Sequence, residues 1–240
     1  MASIAGILTS PFRKNCFRPA VVAEAHDINE QFRLVRVLGE TLQESLWSRG
    51  HKVRFRLGEA MFRTHMPVHW DVRAGFAEFI FFLHGNGPGS AWAASLKKGD
   101  RCQLSVLKPC LNLAELKGRT IFFGDETSMG TALALGASAY ARHEHTYVFE
   151  VSSRAYTEQV ARQARLCNTA FIQKTAGHSH LTELTSVLLR LAQGLDLPRW
   201  VFTGCAQSIQ RIRNQFGSHG LPLTNTIVKP YWAEGKAGLD

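Results

Sequence analysis

No two cysteines in this sequence lie close enough to form a metal knuckle or a redox pair. The five, Cys16, Cys102, Cys110, Cys167 and Cys205, are odd in number and widely spaced, with no CxxC. That argues against a disulfide framework and a zinc site, and leaves buried free thiols in a reducing compartment as the expectation. Long apolar runs are missing too. Nothing approaches the roughly 18 consecutive apolar residues of a membrane span. The opening "MASIAGILTSPFRK" has no basic residue ahead of its short apolar run, unlike a signal peptide. The expectation is therefore a cytoplasmic protein with no membrane partner. Acidic residues are the minority, 19 against 28 Lys and Arg, for a formal net charge of +9. Such a balance favours anionic partners such as nucleotides, phosphates and acidic chelates. The basic residues are scattered, densest in "FRKNCFR" and "RGHKVRFR". No nucleic-acid motif accompanies them, so nucleic acid is not expected as a partner. There is also no GxGxxG, no internal repeat and no low-complexity tract.

What is present is a chain of 240 residues, 45% hydrophobic and 20% charged, long enough for one large domain or two small ones. Its first half has the period of strands. "FRLVRVLG" and "HKVRFRL" alternate, with Val53, Phe55 and Leu57 facing one way and Lys52, Arg54 and Arg56 the other. "FAEFIFFL" is apolar throughout and suits a strand covered on both faces, while "DRCQLSVL" alternates again through Cys102, Leu104 and Val106. Short strands separated by glycine-rich breaks predict a small antiparallel β-barrel. The second half changes period. "RTIFFGDE", "TYVFEVSS", "TAFIQK", "RWVFTG" and "NTIVKPYW" are strand-like. Between them lie helical segments, "SMGTALALGASAYAR", "RAYTEQVARQARL", "HLTELTSVLLRLAQGL" and "CAQSIQRIRNQFG". In the third of these, Leu181, Leu184, Val187, Leu188 and Leu191 recur at helical spacing. Strands alternating with helices predict a parallel sheet covered on both faces. The change falls in "KPCLNLAELKG", so two domains are expected, residues 1–113 and 114–240.

The most informative stretch is "LHGNGPGSAWAASLKKGD". A strand ends at Leu83, a turn follows through His84, Gly85, Gly87 and Gly89, and a short helix starts near Ser90. Glycines let the backbone approach a bulky ligand, and a helix start offers free N–H groups suited to a pyrophosphate. The same spacing also serves a plain turn joining two barrel elements. "IFFGDETSMGTALAL" and "VFTGCAQSIQRIR" are both strand, turn, helix, and two such turns can form opposite walls of one crevice at the carboxyl end of a parallel sheet. In the first, Asp125 or Thr127 equally suits a helix cap. Cys205 starts a helix, which can activate a thiol, but no base stands near it in sequence. His143 and His145, and His178 and His180, are spaced like ligand pairs. No carboxylate-rich pattern fixes a geometry, so solvated loop histidines and no metal site are expected. Lys52, Lys229 and Lys236 suit either a basic rim for an acidic chelate or ordinary surface positions. Tyr231 and Trp232 suit either packing or contact with a planar cofactor.

Taken in order, these stretches resemble the siderophore-interacting proteins, FAD-dependent and NAD(P)H-driven ferric-siderophore reductases of the ferredoxin-reductase-like superfamily. That family's Arg-x-Tyr-Thr aligns with Arg63, Thr64, His65 and Met66. Its His-Gly-x-Gly-Pro-Ala-x-x-Trp-Ala aligns with His84 to Ala93, matching His84, Gly85, Gly87, Pro88, Trp92 and Ala93, with Gly89 in place of alanine. Its Gly-Asp-Glu-Thr turn is intact at Gly124, Asp125, Glu126 and Thr127. Its Ala-Gly-Glu-Ala turn appears as Thr203, Gly204, Cys205 and Ala206, and its Tyr-Trp-x-x-Gly ending as Tyr231, Trp232 and Gly235. The resemblance implies an FAD-binding barrel followed by a Rossmann-like domain for NADPH or NADH, with a ferric siderophore or similar chelate as acceptor. It implies that Arg63 pairs with the FAD pyrophosphate, that Thr64, His65 and Met66 border the flavin, and that the turn from His84 through Ser90 to Trp92 cradles the pyrophosphate. The turns at Gly124 and Gly204, with Trp232, then border the nicotinamide nucleotide. His65, Met66, Gly89, Cys205 and Gly130 (where the family has proline) depart from the pattern. These departures leave open an enzyme on the same scaffold that acts on a small organic molecule and uses flavin differently or not at all.

Overall fold

A computed structural model describes residues 17–85, 87–105, 108–113, 116, 118–137, 145–193 and 198–236. The first sheet is built of β1 (Phe17–Asn29), β2 (Phe32–Leu38), β3 (His51–Arg56), β4 (Phe62–His65), β5 (His69–Asp71), β6 (Phe76–Phe82), β7 (Arg101–Ser105) and β8 (Lys108–Pro109). Its order is β4-β3-β7-β1-β2-β6-β5, with β8 also on β3, and every pairing is antiparallel. Among the described residues β4 and β5 do not pair, so the barrel is partly open. Helix α1 (Pro88–Ser95) follows β6. Fully buried Val35, Val37, Val53, Phe55, Phe79 and Leu104 fill the interior, joined by Ala93 of α1. Strand β1 is longer than any segment with an alternating sequence pattern. Register shifts at Val22/Glu24 and Asp27/Asn29 break its side-chain period, which conceals a strand of 13 residues.

The second sheet contains β9 (Thr120–Asp125), β10 (His145–Val151), β11 (Thr169–Gln173), β12 (Arg199–Cys205) and β13 (Thr226–Trp232). All are parallel, in the order β11-β10-β9-β12-β13. The chain winds outward from β9 to β11, then returns to place β12 on the other side of β9. The topological switch therefore lies between the carboxyl ends of β9 and β12. Helices α2 (Met129–Gly136) and α3 (Arg154–Gln163) pack with Phe122, Phe149 and Val201 on one face. Helices α4 (His180–Ala192) and α5 (Ala206–Ser218) pack with Phe123, Val148 and Phe202 on the other. Adjacent Phe122 and Phe123 thus serve opposite cores, which is why β9 reads as unbroken apolar sequence.

The two sheets share a contact face. In β6, Ala77, Phe79 and Phe81 point into the barrel, while half-buried Ile80 and Phe82 pack on the core of the second sheet. The "FAEFIFFL" strand is covered on both sides as expected, and its outer cover is the other domain. Polar ties reinforce the contact: Asn29 Nδ2 donates to the Tyr156 carbonyl at 3.0 Å, and Gln159 Nε2 to the Ile28 carbonyl at 3.1 Å. The last strand of the first sheet ends at Pro109 and the second sheet begins at Thr120, while Leu111 and Leu113 between them pack with the second core.

Some expectations change. His145 and His180 are not solvated. They are 2% and 4% exposed, and His180 Nε2 lies 3.0 Å from Oε2 of buried Glu150. Cys167 is exposed rather than buried, while Cys102 and Cys205 are buried and Cys110 is intermediate. The expected helix after Ser128 is described to Gly136. His143, Cys16, Val106 and the N-terminal "MASIAGILTSPFRK" lie outside the described residues. Among the described residues no helix is long and apolar enough to cross a membrane.

Candidate functional site

A cavity of about 280 Å³ opens where the barrel meets the second sheet. Its barrel wall starts with β4. That strand pairs with β3 so that Arg63 stands opposite Phe55 and His65 opposite Val53. Phe55 and Val53 are buried, so alternation turns Arg63 and His65 inward as well. Arg63 Nη1 donates to its neighbour's carbonyl, Phe62 O, at 2.8 Å. Its other N–H groups have no protein acceptor among the described residues. The His65 ring meets Phe81 edge-on at 4.5 Å between centroids and Phe55 at 6.0 Å. Burial first, and the Arg63 charge second, lower its pKa to about 4. His84 is lowered for the same two reasons, in the same order.

Beneath Arg63 lies the turn into α1. Gly85 and Gly87 take φ of +78° and +95°, a left-handed conformation that favours glycine. Gly87 is the helix N-cap and leaves the first turn without a side-chain cap. A Cβ on Gly89 would stand 3.0 Å from Arg63 Cγ, so this glycine lets the arginine lie across the start of α1. A guanidinium with unused donors beside an uncapped helix start is a complement for a pyrophosphate. Next to it, the apolar floor around Phe81 and Ile80 suits a flat ring system. These residues fit FAD.

The opposite wall comes from the second sheet and is internally bonded. The Tyr231 hydroxyl lies 2.6 Å from that of Thr131, and burial raises its pKa. Trp232 Nε1 donates to Asp125 Oδ2 at 2.6 Å, and Asp125 Oδ1 accepts from the Thr127 N–H at 2.9 Å. Burial outweighs the nearby Lys174 ammonium and brings Asp125 to about 6. Gly204, at φ +95°, leaves room for this carboxyl, because a Cβ there would come within 2.7 Å of Asp125 Cγ. Glu126 is buried, accepts from the Ser152 hydroxyl at 2.6 Å and pairs with Lys174 at 2.7 Å. The buried Cys205 thiol donates to Gln207 Oε1 at 3.4 Å.

Of the residues singled out by sequence, Arg63, Thr64, His65, Met66, His84, Gly87, Gly89, Ser90, Thr127 and Trp232 line the cavity, as do Lys52 and Lys229. Trp92 does not; its ring packs on Phe55 and Phe81 inside the barrel, with centroids 5.1 and 5.9 Å away. Gly85 belongs to the cradle turn without lining the cavity. Gly124, Asp125, Glu126, Gly204 and Cys205 lie behind the wall, at the switch between β9 and β12. Sequence reasoning missed Cys110, Ile80, Phe82 and Thr131. Thr131 follows Thr127 by one helical turn, a spacing that could have revealed it. Nothing local marks Cys110.

Three solved structures share this arrangement over nearly the whole chain. A siderophore utilization protein from T. fusca is 20% identical, with 93% of this chain and 95% of that one covered at a TM-score of 0.70. The chain has the fold of siderophore-interacting proteins and ferredoxin reductases. The siderophore-interacting protein from Acinetobacter baumannii is 15% identical, with coverage of 92% and 91% and a TM-score of 0.75. A ferredoxin NADP+ reductase from Neisseria gonorrhoeae, solved with bound FAD and NADP, is 14% identical, with coverage of 89% and 98% and a TM-score of 0.70. Comparison with protein-family models and with curated protein sequences finds no match. The motif resemblance is thus borne out as a reductase-type fold, an FAD-type barrel followed by a Rossmann-like sheet.

Proposed function

We propose that this chain is an FAD-dependent oxidoreductase that takes electrons from NADPH or NADH and passes them to a ferric chelate, with a ferric siderophore as the substrate class favoured by the resemblance. One observation carries the proposal. Arg63, His65, the His84–Ser90 turn and the start of the second domain converge on a single cavity. FAD, when bound, supplies a ring that accepts two electrons together and releases them singly. The chain does the rest. Arg63 and the start of α1 hold the pyrophosphate, the barrel floor and His65 hold the ring, and the second domain covers the site from water. In this division, residues 1–113 form the flavin domain and 114–240 the nucleotide domain, with the nicotinamide nucleotide at the switch between β9 and β12. Lys52 and Lys229, both on the cavity wall, draw an anionic chelate toward it.

The test is the visible spectrum of the purified protein with FAD, then anaerobic NADPH, then a ferric chelate. A yellow protein that bleaches with NADPH and recovers its colour with the chelate is expected. A yellow protein that NADPH does not bleach would point to the same scaffold with altered chemistry. A colourless protein that ignores added FAD overturns the assignment.

A further inference from the structure

The second sheet has an open edge at β11, which pairs only with β10 among the described residues. The Tyr147 N–H donates to the Asn168 carbonyl and the Lys174 N–H to the Val151 carbonyl, so residues 168 and 174 turn these groups toward β10. Successive residues of a strand alternate sides in such a ladder. Thr169, Phe171 and Gln173 therefore present their N–H and C=O groups to the open edge. Beside that edge, between β11 and α3, lies a groove of about 240 Å³ that shares no residue with the cavity between the domains. One side of it is a charged stripe of α3, Arg154, Glu158 and Arg162, spaced one turn apart on one face. Arg154 Nε donates to Glu158 Oε1 at 2.6 Å, while exposed Arg162 has no acidic partner among the described residues. Buried Phe171 of β11 lines the groove on the strand side.

An edge with unused ladder groups is a template for a further strand. The charges of α3 select its chemistry. They run positive, negative, positive, and the two arginines stand about 12 Å apart along the helix axis. In an extended strand, side chains at i and i+4 share a face and stand about 13 Å apart. Carboxylates at those two positions meet Arg154 and Arg162, with a neutral or basic side chain between them facing Glu158. A second copy of this chain does not supply that pattern. Two β11 strands paired antiparallel about Phe171 would lay their α3 helices side by side in opposite directions, Arg154 against Arg162 and Glu158 against Glu158.

We infer that the β11 edge is a docking site for an extended acidic segment of another protein, which joins the second sheet as an added strand and sets two carboxylates, four residues apart, against Arg154 and Arg162. The inference is independent of the proposed flavin site.

The experiment uses the full chain and two blocked peptides, Val-Asp-Val-Thr-Val-Asp-Val and its counterpart with lysine at both aspartate positions. Fluorescence anisotropy reads affinity, and NMR reads amide hydrogen exchange. The acidic peptide is expected to bind at least about tenfold tighter than the lysine one. Exchange at the Thr169, Phe171 and Gln173 amides should slow on binding, while Ala170 and Ile172, already bonded to β10, should not change. Arg162→Glu should weaken the acidic peptide about ten- to a hundredfold, the worth of a charge-assisted contact. Gln173→Pro removes one outward donor without touching the β10 ladder and should weaken it about three- to tenfold. If that variant does not fold, the exchange pattern and Arg162→Glu decide. The inference is overturned if the acidic peptide does not bind, or if both peptides bind alike. Binding without slowed exchange at the three amides overturns it too, since that is charge attraction alone. So does exchange at those amides that is already slow in concentrated protein and quickens on dilution, which would mean that a second copy holds the edge.

Discussion

The two walls of the cavity treat their polar side chains differently. On the barrel wall, Arg63 spends one N–H on its own neighbour and His65 spends none. On the facing wall the Tyr231 hydroxyl is matched by Thr131 and the Trp232 indole by Asp125, and behind that wall Glu126 pairs with Lys174 and Glu150 with His180. One wall holds polar capacity in reserve for a ligand, and the other has bonded itself into a rigid frame. A ligand can settle on the first at little reorganisation cost, whereas one that engaged the bonded groups of the second would have to exchange existing bonds for its own.

That contrast can be broken at four places. The largest effect is expected at Gly204→Ala in the rigid frame. A left-handed φ and a Cβ 2.7 Å from the Asp125 carboxyl carbon should together cost about 4 kcal/mol of stability. Urea denaturation of the apo protein measures it, and a loss below about 1 kcal/mol would mean the frame yields easily.

Next comes pH. Asp125 titrates near 4 in an unfolded chain and at about 6 in the fold. The fold thus favours the protonated carboxyl. Its contribution is fully present below about pH 4 and is lost as pH rises through 6, by at most about 3 kcal/mol. Wild type should lose stability relative to Asp125→Asn as pH rises from 4 to 7, read from denaturation midpoints, whereas parallel curves would discount the shift.

On the barrel wall the readout changes from stability to binding. Arg63→Ala should leave apo stability within about 0.5 kcal/mol and weaken FAD roughly ten- to a hundredfold, the worth of a charge-assisted contact. Unchanged FAD affinity would remove the motif assignment. Gly89→Ala is the mildest. Its methyl would press on the flexible part of Arg63, 3.0 Å from Cγ, so FAD should weaken only about threefold as the arginine shifts. A greater loss than at Arg63→Ala would mean that the backbone at 89, not the arginine, is the main grip.

Much of this architecture could be read in advance because it is periodic. The alternation through Val53 and Phe55 announced a half-buried strand, and Leu181, Leu184 and Leu188 announced a packed helix face. β1 stayed hidden because two register shifts scramble its side-chain period. The cradle was legible from Gly85, Gly87 and Gly89, whose roles are local. Partnerships across the sheets were not. His180 gave no sign in sequence of Glu150, 30 residues away, and so was expected in solvent when it is buried and paired. Cys110 and Ile80 enter the cavity only because the second domain closes over β6. Trp92 belongs to a matching motif and yet serves the barrel core, so a motif match fixes where a residue stands without fixing what it touches.

The contact between Gly130 and Met66 has a consequence for how this site can change. A Cβ on Gly130 would lie 3.2 Å from the Met66 carbonyl oxygen and 3.6 Å from Val68. The crowding atom is main chain, so it is there whichever side chain stands at 66. A larger residue at 130 must therefore push on the backbone that leads out of β4, and a change of side chain at 66 alone would not make room for it. Glycine at 130 ties the start of the second sheet's first helix to the path of the barrel backbone, so that path limits what position 130 can become.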